Sequence, residues 1–170
     1  MSDIIIRPAI PADVDAIAAY LPQVKAGMHE RGNPQWGKQY PERADYAGDL
    51  ERRELYVAEL DGGVAGAFCA NTNGAAEYVQ LTWTTSAPAL VIHRLAVNPA
   101  FWHRGVGRAC FAGAEDVARG LGLGALRVDT YSANREMQAL IKARGFSFVG
   151  EIHFDRDGLA GPYFCFEKAL

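Results

Sequence analysis

The run from Val91 to Arg108, VIHRLAVNPAFWHRGVGR, leaves the backbone few choices. Its first half is apolar and β-branched enough for a strand, and its second half ends in a Gly-x-Gly turn that opens a helical pattern. A strand, a loop and a helix N-terminus therefore meet in one place. The first turn of a helix has unpaired N–H groups and the positive end of the macrodipole, which together suit a phosphate. Gly105 and Gly107, on either side of Val106, remove β-carbons that would hold a polyanion away from those amides. His103, Arg104 and Arg108 add charge beside them.

Two nucleotide-binding motifs share this layout. A P-loop requires Gly-Lys-Ser/Thr at its end, and Gly107 is followed by Arg108 and Ala109, so that motif is excluded. The dinucleotide fingerprint is closer, because Asp129 ends the next strand 22 residues after Gly107, near the place of a ribose-binding acid. Against it, Cys110 stands where a third glycine belongs, and Asn98 to Arg104 separates the strand from the glycines. A Gly-x-Gly alone is also consistent with a tight turn before a helix.

From Ile92 to Phe146 the order of motifs resembles the core of the GNAT superfamily of acyl-CoA-dependent N-acyltransferases. The resemblance rests on the Arg-Leu-Ala-Val strand end, Asn98-Pro99, Gly105-Val106-Gly107, the strand Leu126 to Thr130, Asn134, and Gly145-Phe146. It implies an α/β fold with a mixed, mostly antiparallel sheet of about seven strands, helices on both faces and splayed central strands. It also implies acetyl-CoA as acyl donor, an amine acceptor, and a dimer as one form of the protein. In such a fold the backbone of Leu95, Ala96 and Val97 pairs with pantetheine as with an added strand. The loop His103 to Arg108 then takes the pyrophosphate, and Asn134, otherwise a helix cap, bonds the cofactor. One departure is Trp102, at a position where the family usually has Gln or Arg.

Direct acyl transfer needs a neutral amine and a protonated leaving group. His93 lies two residues before Leu95 on the same face and titrates in a useful range, so it is the candidate base; a hydrogen-bonded structural histidine is the alternative. The tyrosine that serves as acid in many family members is replaced by Ile141, which leaves Tyr131 and Ser132 as candidates on the neighbouring strand.

Composition bounds what surrounds this core. With 170 residues and 49% hydrophobic content, residues 1–170 are expected to form one domain. A net charge of −3 and a pI near 5.8 give no footprint for nucleic acid or an anionic membrane. MSDIIIRP lacks a secretory pattern and no apolar run approaches the ~20 residues of a membrane span, so a cytoplasmic protein is expected. Cys69, Cys110 and Cys165 read as buried hydrophobes. The four histidines are scattered, so no metal is expected.

Along the rest of the chain, Ile4 to Arg7 reads as a strand and Pro11 as a helix start, with Pro22 ending or bending that helix and a second piece from Gln23 to Glu30. The aromatic, turn-rich loop Arg31 to Pro41 offers Trp36 and Tyr40 as pocket candidates. A helix from Glu42 to Arg53 precedes a hairpin, Leu55 to Leu60 and Val64 to Ala70, around Asp61-Gly62-Gly63. Within 71–87, Tyr78, Leu81 and Trp83 alternate as in a strand, or else form a flap or a subunit contact; Tyr78 and Trp83 are further pocket candidates. The central strand Ala89 to Val97, a helix marked by Val106, Cys110, Ala114, Val117 and Leu121, the strand Leu126 to Tyr131 and a helix stopped by Gly145 follow. A hairpin, Phe146 to Phe154 and Tyr163 to Lys168 around 155–161, closes the chain.

The expected activity is an N-acetyltransferase moving acetyl from acetyl-CoA to a primary amine by direct attack in a ternary complex. No cysteine is placed to argue for an acyl-enzyme. The alternative is a non-catalytic module that binds or senses acyl-CoA.

Overall fold

The apolar runs become seven strands of one sheet: β1 (Ile5–Pro8), β2 (Leu55–Leu60), β3 (Gly63–Asn71), β4 (Ala89–Val97), β5 (Ala125–Tyr131), β6 (Ser147–Ile152) and β7 (Tyr163–Ala169), in the order β1-β2-β3-β4-β5-β7-β6. The computed structural model describes residues 2–154 and 158–170. Five of the six neighbouring pairs are antiparallel and only β4 with β5 is parallel. That pair needs a crossover, which the chain supplies with a helix. The four helices are α1 (Pro11–Glu30), α2 (Arg43–Glu51), α3 (Val106–Gly120) and α4 (Arg135–Ala143). The mixed, mostly antiparallel sheet with helices on both faces is the architecture expected.

The alternation of side chains along the strands feeds two layers. On one face Cys110, Phe111 and Ala114 of α3 and Ile141 of α4 meet Leu90, Ile92, Leu126, Val128 and Phe166. On the other, Val14, Ile17, Leu21 and Tyr46 of α1 and α2 meet Leu55, Val57, Ala67 and Ala96. A third cluster of Tyr78, Val91, Tyr131, Ile152, Tyr163 and Cys165 covers the far half of that second face. All three cysteines are buried and free.

Two elements differ from expectation. The first helix is a single one of 20 residues that runs through Pro22. Pro22 is exposed while Leu21, Val24 and Met28 are buried. The hydrogen bond proline removes is therefore lost on the wet side, and packing on the dry side carries the helix onward. At its start, Asp13 accepts from the Ile10 N–H at 2.8 Å and pairs with Arg7 at 2.8 Å. The second is 72–87, where of the alternatives left open the strand is not formed: the segment holds a 3-10 turn (Ala76–Gln80) and otherwise lies irregularly on β5 and β7. Buried Glu167 fixes it there, accepting from the N–H groups of Thr84 (2.8 Å) and Thr85 (3.1 Å) and from the Thr84 hydroxyl. Glu167 also pairs with Arg127 at 2.9 Å, and the Arg127 guanidinium sits 4.1 Å from the centre of the Trp83 ring. The turn expected at 155–161 lies partly outside the described residues. Among those described, no helix is long and apolar enough to cross a membrane.

Candidate active site

The parallel pairing of β4 and β5 runs from Ala89↔Ala125 to Ile92↔Val128 and stops, although β5 stays paired with β7 as far as Tyr131↔Tyr163. The two central strands fork after Ile92, as expected. A β-bulge at the branch point accounts for it: β3 pairs Cys69 with His93 and Ala67 with Ala96, so Arg94 and Leu95 together oppose Phe68. The extra residue sharpens the twist and turns the strand aside. Arg94 takes φ +49°, a strained value for a residue with a long side chain.

Contacts from α2 hold that conformation. Arg94 donates to Asp49 through Nε (2.8 Å) and Nη2 (2.5 Å), and the Tyr46 hydroxyl donates to the Arg94 carbonyl at 3.0 Å. Asp49 and Tyr46 are fully buried. Neither stands out in the sequence, whose one signal is an arginine, next to His93, inside a largely apolar strand.

The fork opens a cleft of about 1750 Å³, walled by Ile92 to Val97 on one side and Val128 to Thr130 on the other. That volume exceeds the several hundred Å³ of a drug-sized ligand and suits a longer one. The Asn98 N–H donates to Ala65 at 2.8 Å, so alternation turns the backbone groups of Ala96 toward β3 and those of Val97 toward the cleft. Leu95 sits at the bulge. Of the three residues expected to pair with pantetheine, Ala96 thus has its backbone turned to β3, and its carbonyl also accepts from the Tyr20 hydroxyl at 3.3 Å. The Val97 carbonyl accepts from the Trp102 indole N–H at 3.1 Å.

At the end of the cleft lies the start of α3. Gly105 precedes it at φ +83°, with nothing within 4 Å of where a β-carbon would stand. Gly107 lines the cleft too, and a β-carbon there would come within 2.9 Å of Leu140 Cδ2, itself a cleft-lining side chain, so this glycine keeps the helix start open and lets Leu140 close on it. His103, Val106 and Arg108 line the cleft. Arg104 does not; it pairs with Asp61 at 2.8 Å, in the turn between β2 and β3.

The other candidates divide. His93, Trp36, Tyr40 and Asn134 line the cleft, whereas Tyr131, Tyr78 and Trp83 do not. The Tyr131 hydroxyl accepts from the Gly161 N–H at 3.1 Å. Tyr78 donates to Asp129 at 2.6 Å, and Trp83 donates to the Tyr78 carbonyl at 3.2 Å. Buried Trp36 is tied to α1 through its carbonyl, 2.8 Å from His29 Nε2, and the Tyr40 hydroxyl accepts from Arg94 at 3.2 Å. Asn134 caps α4, its Oδ1 accepting from the Met137 N–H at 3.1 Å. Its Nδ2 donates to the side-chain oxygen of Gln35 at 3.2 Å, a residue the sequence did not single out and one that also accepts from the Thr130 hydroxyl and the Tyr131 N–H. Asp49, Glu54 and Cys69 bring three metal-capable atoms within 4.8 Å, but the two carboxylates already face Arg94 and Arg52.

His93 Nε2 lies 2.9 Å from Asn71 Oδ1, and Asn71 in turn donates to Glu54 at 3.1 Å. Burial, with the Arg94 charge beside it, pulls the imidazole pKa down from 6.5 to about 4. Between those values the unfolded chain binds a proton that the native one does not, so native stability falls as pH drops from about 6.5 toward 4. The loss is up to about 3 kcal/mol, at ~1.4 kcal/mol per pK unit. His93→Gln should remove this part of the acid sensitivity, seen as a smaller shift of the urea midpoint between pH 7 and pH 5. An equal shift in both proteins would mean that His93 is not held neutral.

A family model for the acetyltransferase (GNAT) family matches residues 25–146, well over half of the chain. The chain belongs to that family. The antiparallel pairings that dominate the sheet agree with this and not with the doubly wound parallel sheet of a dinucleotide-binding protein. Among solved structures, a GNAT-family acetyltransferase from Streptococcus agalactiae superimposes with a TM-score of 0.84 at 24% identity, covering 98% of this chain and 95% of that one. A Salmonella typhimurium protein solved with its cofactor acetyl-CoA gives 0.71 at 19% identity, covering 98% and 93%. A ribosomal-protein-alanine N-acetyltransferase from Brucella melitensis gives 0.72 at 20% identity, covering 98% and 99%. No curated protein matches the chain. At these identities the likenesses establish the GNAT fold, and the fork between β4 and β5 is the part of it that carries this acetyltransferase's cleft.

Proposed function

We propose that this GNAT acetyltransferase moves the acetyl group of acetyl-CoA to a primary amine by direct attack within a ternary complex. The observation that carries this is the fork itself: beyond Ile92 the edge of β4 facing the cleft has no neighbouring strand, and it leads to the first turn of α3. Such an edge complements the amides of a pantetheine arm, and the helix start complements its pyrophosphate. The Salmonella neighbour solved with acetyl-CoA supports the choice of donor. The acetyl-transferring neighbours named for N-acetylation support an amine as acceptor.

In the reaction the amine nitrogen attacks the thioester carbon, a C–N bond forms, the C–S bond breaks, and the amine proton leaves as the CoA thiolate takes one up. An alkylamine of pKa ~10.4 is only about one part in a thousand neutral near pH 7.4. The amine therefore enters already neutral, and His93, a weak base held neutral, takes the proton only from the attacking nitrogen as the C–N bond forms and that nitrogen becomes acidic, then passes it on. The rate should therefore follow the amine: log kcat/KM is expected to rise with a slope near one from pH 5.5 to 9, without a break near 6.5. A break there would show that a group with an ordinary histidine pKa acts as the base. For the leaving thiolate, whose pKa of ~8.5 already makes it a fair leaving group, no side-chain acid is required.

A non-catalytic, acyl-CoA-binding module is the second reading, and the bond of His93 Nε2 to Asn71 Oδ1 at 2.9 Å, which suits a structural histidine, favours it. Release of free CoA thiol, measured with acetyl-CoA and a panel of polyamines, amino acids and peptide N-termini, separates the two. Amine-dependent release supports transfer; saturable acetyl-CoA binding with no release from any amine supports the module.

A further inference from the structure

We propose that Arg31, just past the end of α1, is a phosphate ligand of this acetyltransferase, kept aimed across the mouth of the cleft by Trp102 and Glu136. The inference rests on acetyl-CoA being the bound donor. Arg31, Trp102 and Glu136 all line the cleft, alongside His103 and Arg108 at the start of α3. The Arg31 guanidinium lies 4.8 Å from the centre of the Trp102 ring, and its Nε lies 3.1 Å from Glu136 Oε1.

The platform is built from both sides. Trp102 is tethered by its indole N–H to the Val97 carbonyl at 3.1 Å. Its far edge lies over Gly27 of α1, where a β-carbon would come within 2.9 Å of Cη2, so the helix is cut back to glycine where the ring lands. An indole face attracts a guanidinium and holds it without consuming any of its N–H donors.

Glu136 is a weak holder. The Arg31 and Glu136 side chains are 38% and 70% exposed, and an ion pair that wet contributes little. A phosphate carries more charge than a carboxylate and accepts two parallel N–H bonds from the guanidinium, so it displaces Glu136. Arg104 does not line the cleft, so among the described residues Arg108 and Arg31 are the arginines at this end of it.

The test is calorimetric titration of the whole protein with acetyl-CoA at several salt concentrations. Arg31→Ala is expected to weaken binding about 10- to 30-fold and to flatten the dependence of log Kd on log salt. Glu136→Gln, which frees the guanidinium, is expected to tighten binding a few-fold. With 3′-dephospho-acetyl-CoA, a loss that persists in Arg31→Ala assigns the pyrophosphate and one that vanishes assigns the 3′-phosphate; either supports a phosphate contact. S-acetyl-pantetheine, which has no phosphate group of the nucleotide, should bind wild type and Arg31→Ala alike in millimolar titrations. An equal loss with that probe, or an Arg31→Ala affinity for acetyl-CoA within twofold of wild type, overturns the inference. A wild type that binds no acetyl-CoA overturns the proposed function and this inference together.

Discussion

Gly105→Asp should lower acetyl-CoA affinity by about two orders of magnitude, while Gly105→Asn leaves it within a few-fold of wild type. Position 105 sits at φ +83° with open space around it, and Asp and Asn both tolerate the left-handed region better than other side chains. The two variants therefore share shape and backbone cost and differ by one charge. A carboxylate at the first turn of α3 opposes the phosphate that the helix start and Arg108 would attract. At ~5 Å and an effective dielectric of ~20, each pair of unit charges repels by about 3 kcal/mol, which is a factor of ~100 in Kd. Raising salt should narrow the gap between the two variants. Equal affinities would mean that no phosphate rests at this loop. Gly107 is a less clean place for the same experiment, because a side chain there also meets Leu140 and would mix packing with the effect on the ligand.

Asp49→Ala should cost about 3–5 kcal/mol of stability, since it leaves the part-buried Arg94 guanidinium, 15% exposed, without its partner. For a chain of this size that is a fall in Tm of about 10 °C. Asp49 also bonds Arg52 at 2.8 Å, but the Arg52 side chain is 57% exposed, so Arg52→Ala should cost about 1 kcal/mol or less. The contrast isolates the Arg94 contact from the shared carboxylate. Because the same pair holds the bulge that parts β4 from β5, Asp49→Ala should also weaken acetyl-CoA binding at temperatures where it remains folded. Circular dichroism melts with calorimetry on the same samples check both. A melting point within 2 °C of wild type would show that the bulge stands without this ion pair.

The site was partly legible in the sequence, and the residues show why only partly. The strand, the Gly105 turn and the helix after it are local: strand periodicity, a positive φ and a helix face each need only a few neighbouring residues to specify them. His93, Trp36, Tyr40, Val97, Arg108 and Asn134 do line the cleft. Arg104 does not line the cleft: a long cation near a candidate phosphate loop reads as a ligand in the sequence, and in the fold it reaches Asp61. Tyr131 was misplaced because its position on β5 does not say which loop will meet its hydroxyl, and here that is Gly161.

By itself the sequence determined the order of strands and helices, the hairpin at Asp61-Gly62-Gly63 and the junction at Gly105, since these follow from hydrophobic period, turn chemistry and backbone sterics over short spans. Only the tertiary structure decided that α1 runs through Pro22, that 72–87 lies flat under Glu167, and that β4 bulges at Arg94 to open the cleft. Each of these is a local preference overruled by a distant partner. The decisive one, Asp49 to Arg94, spans 45 residues, and its energy exists only once α2 and β4 have been packed together and water excluded from between them.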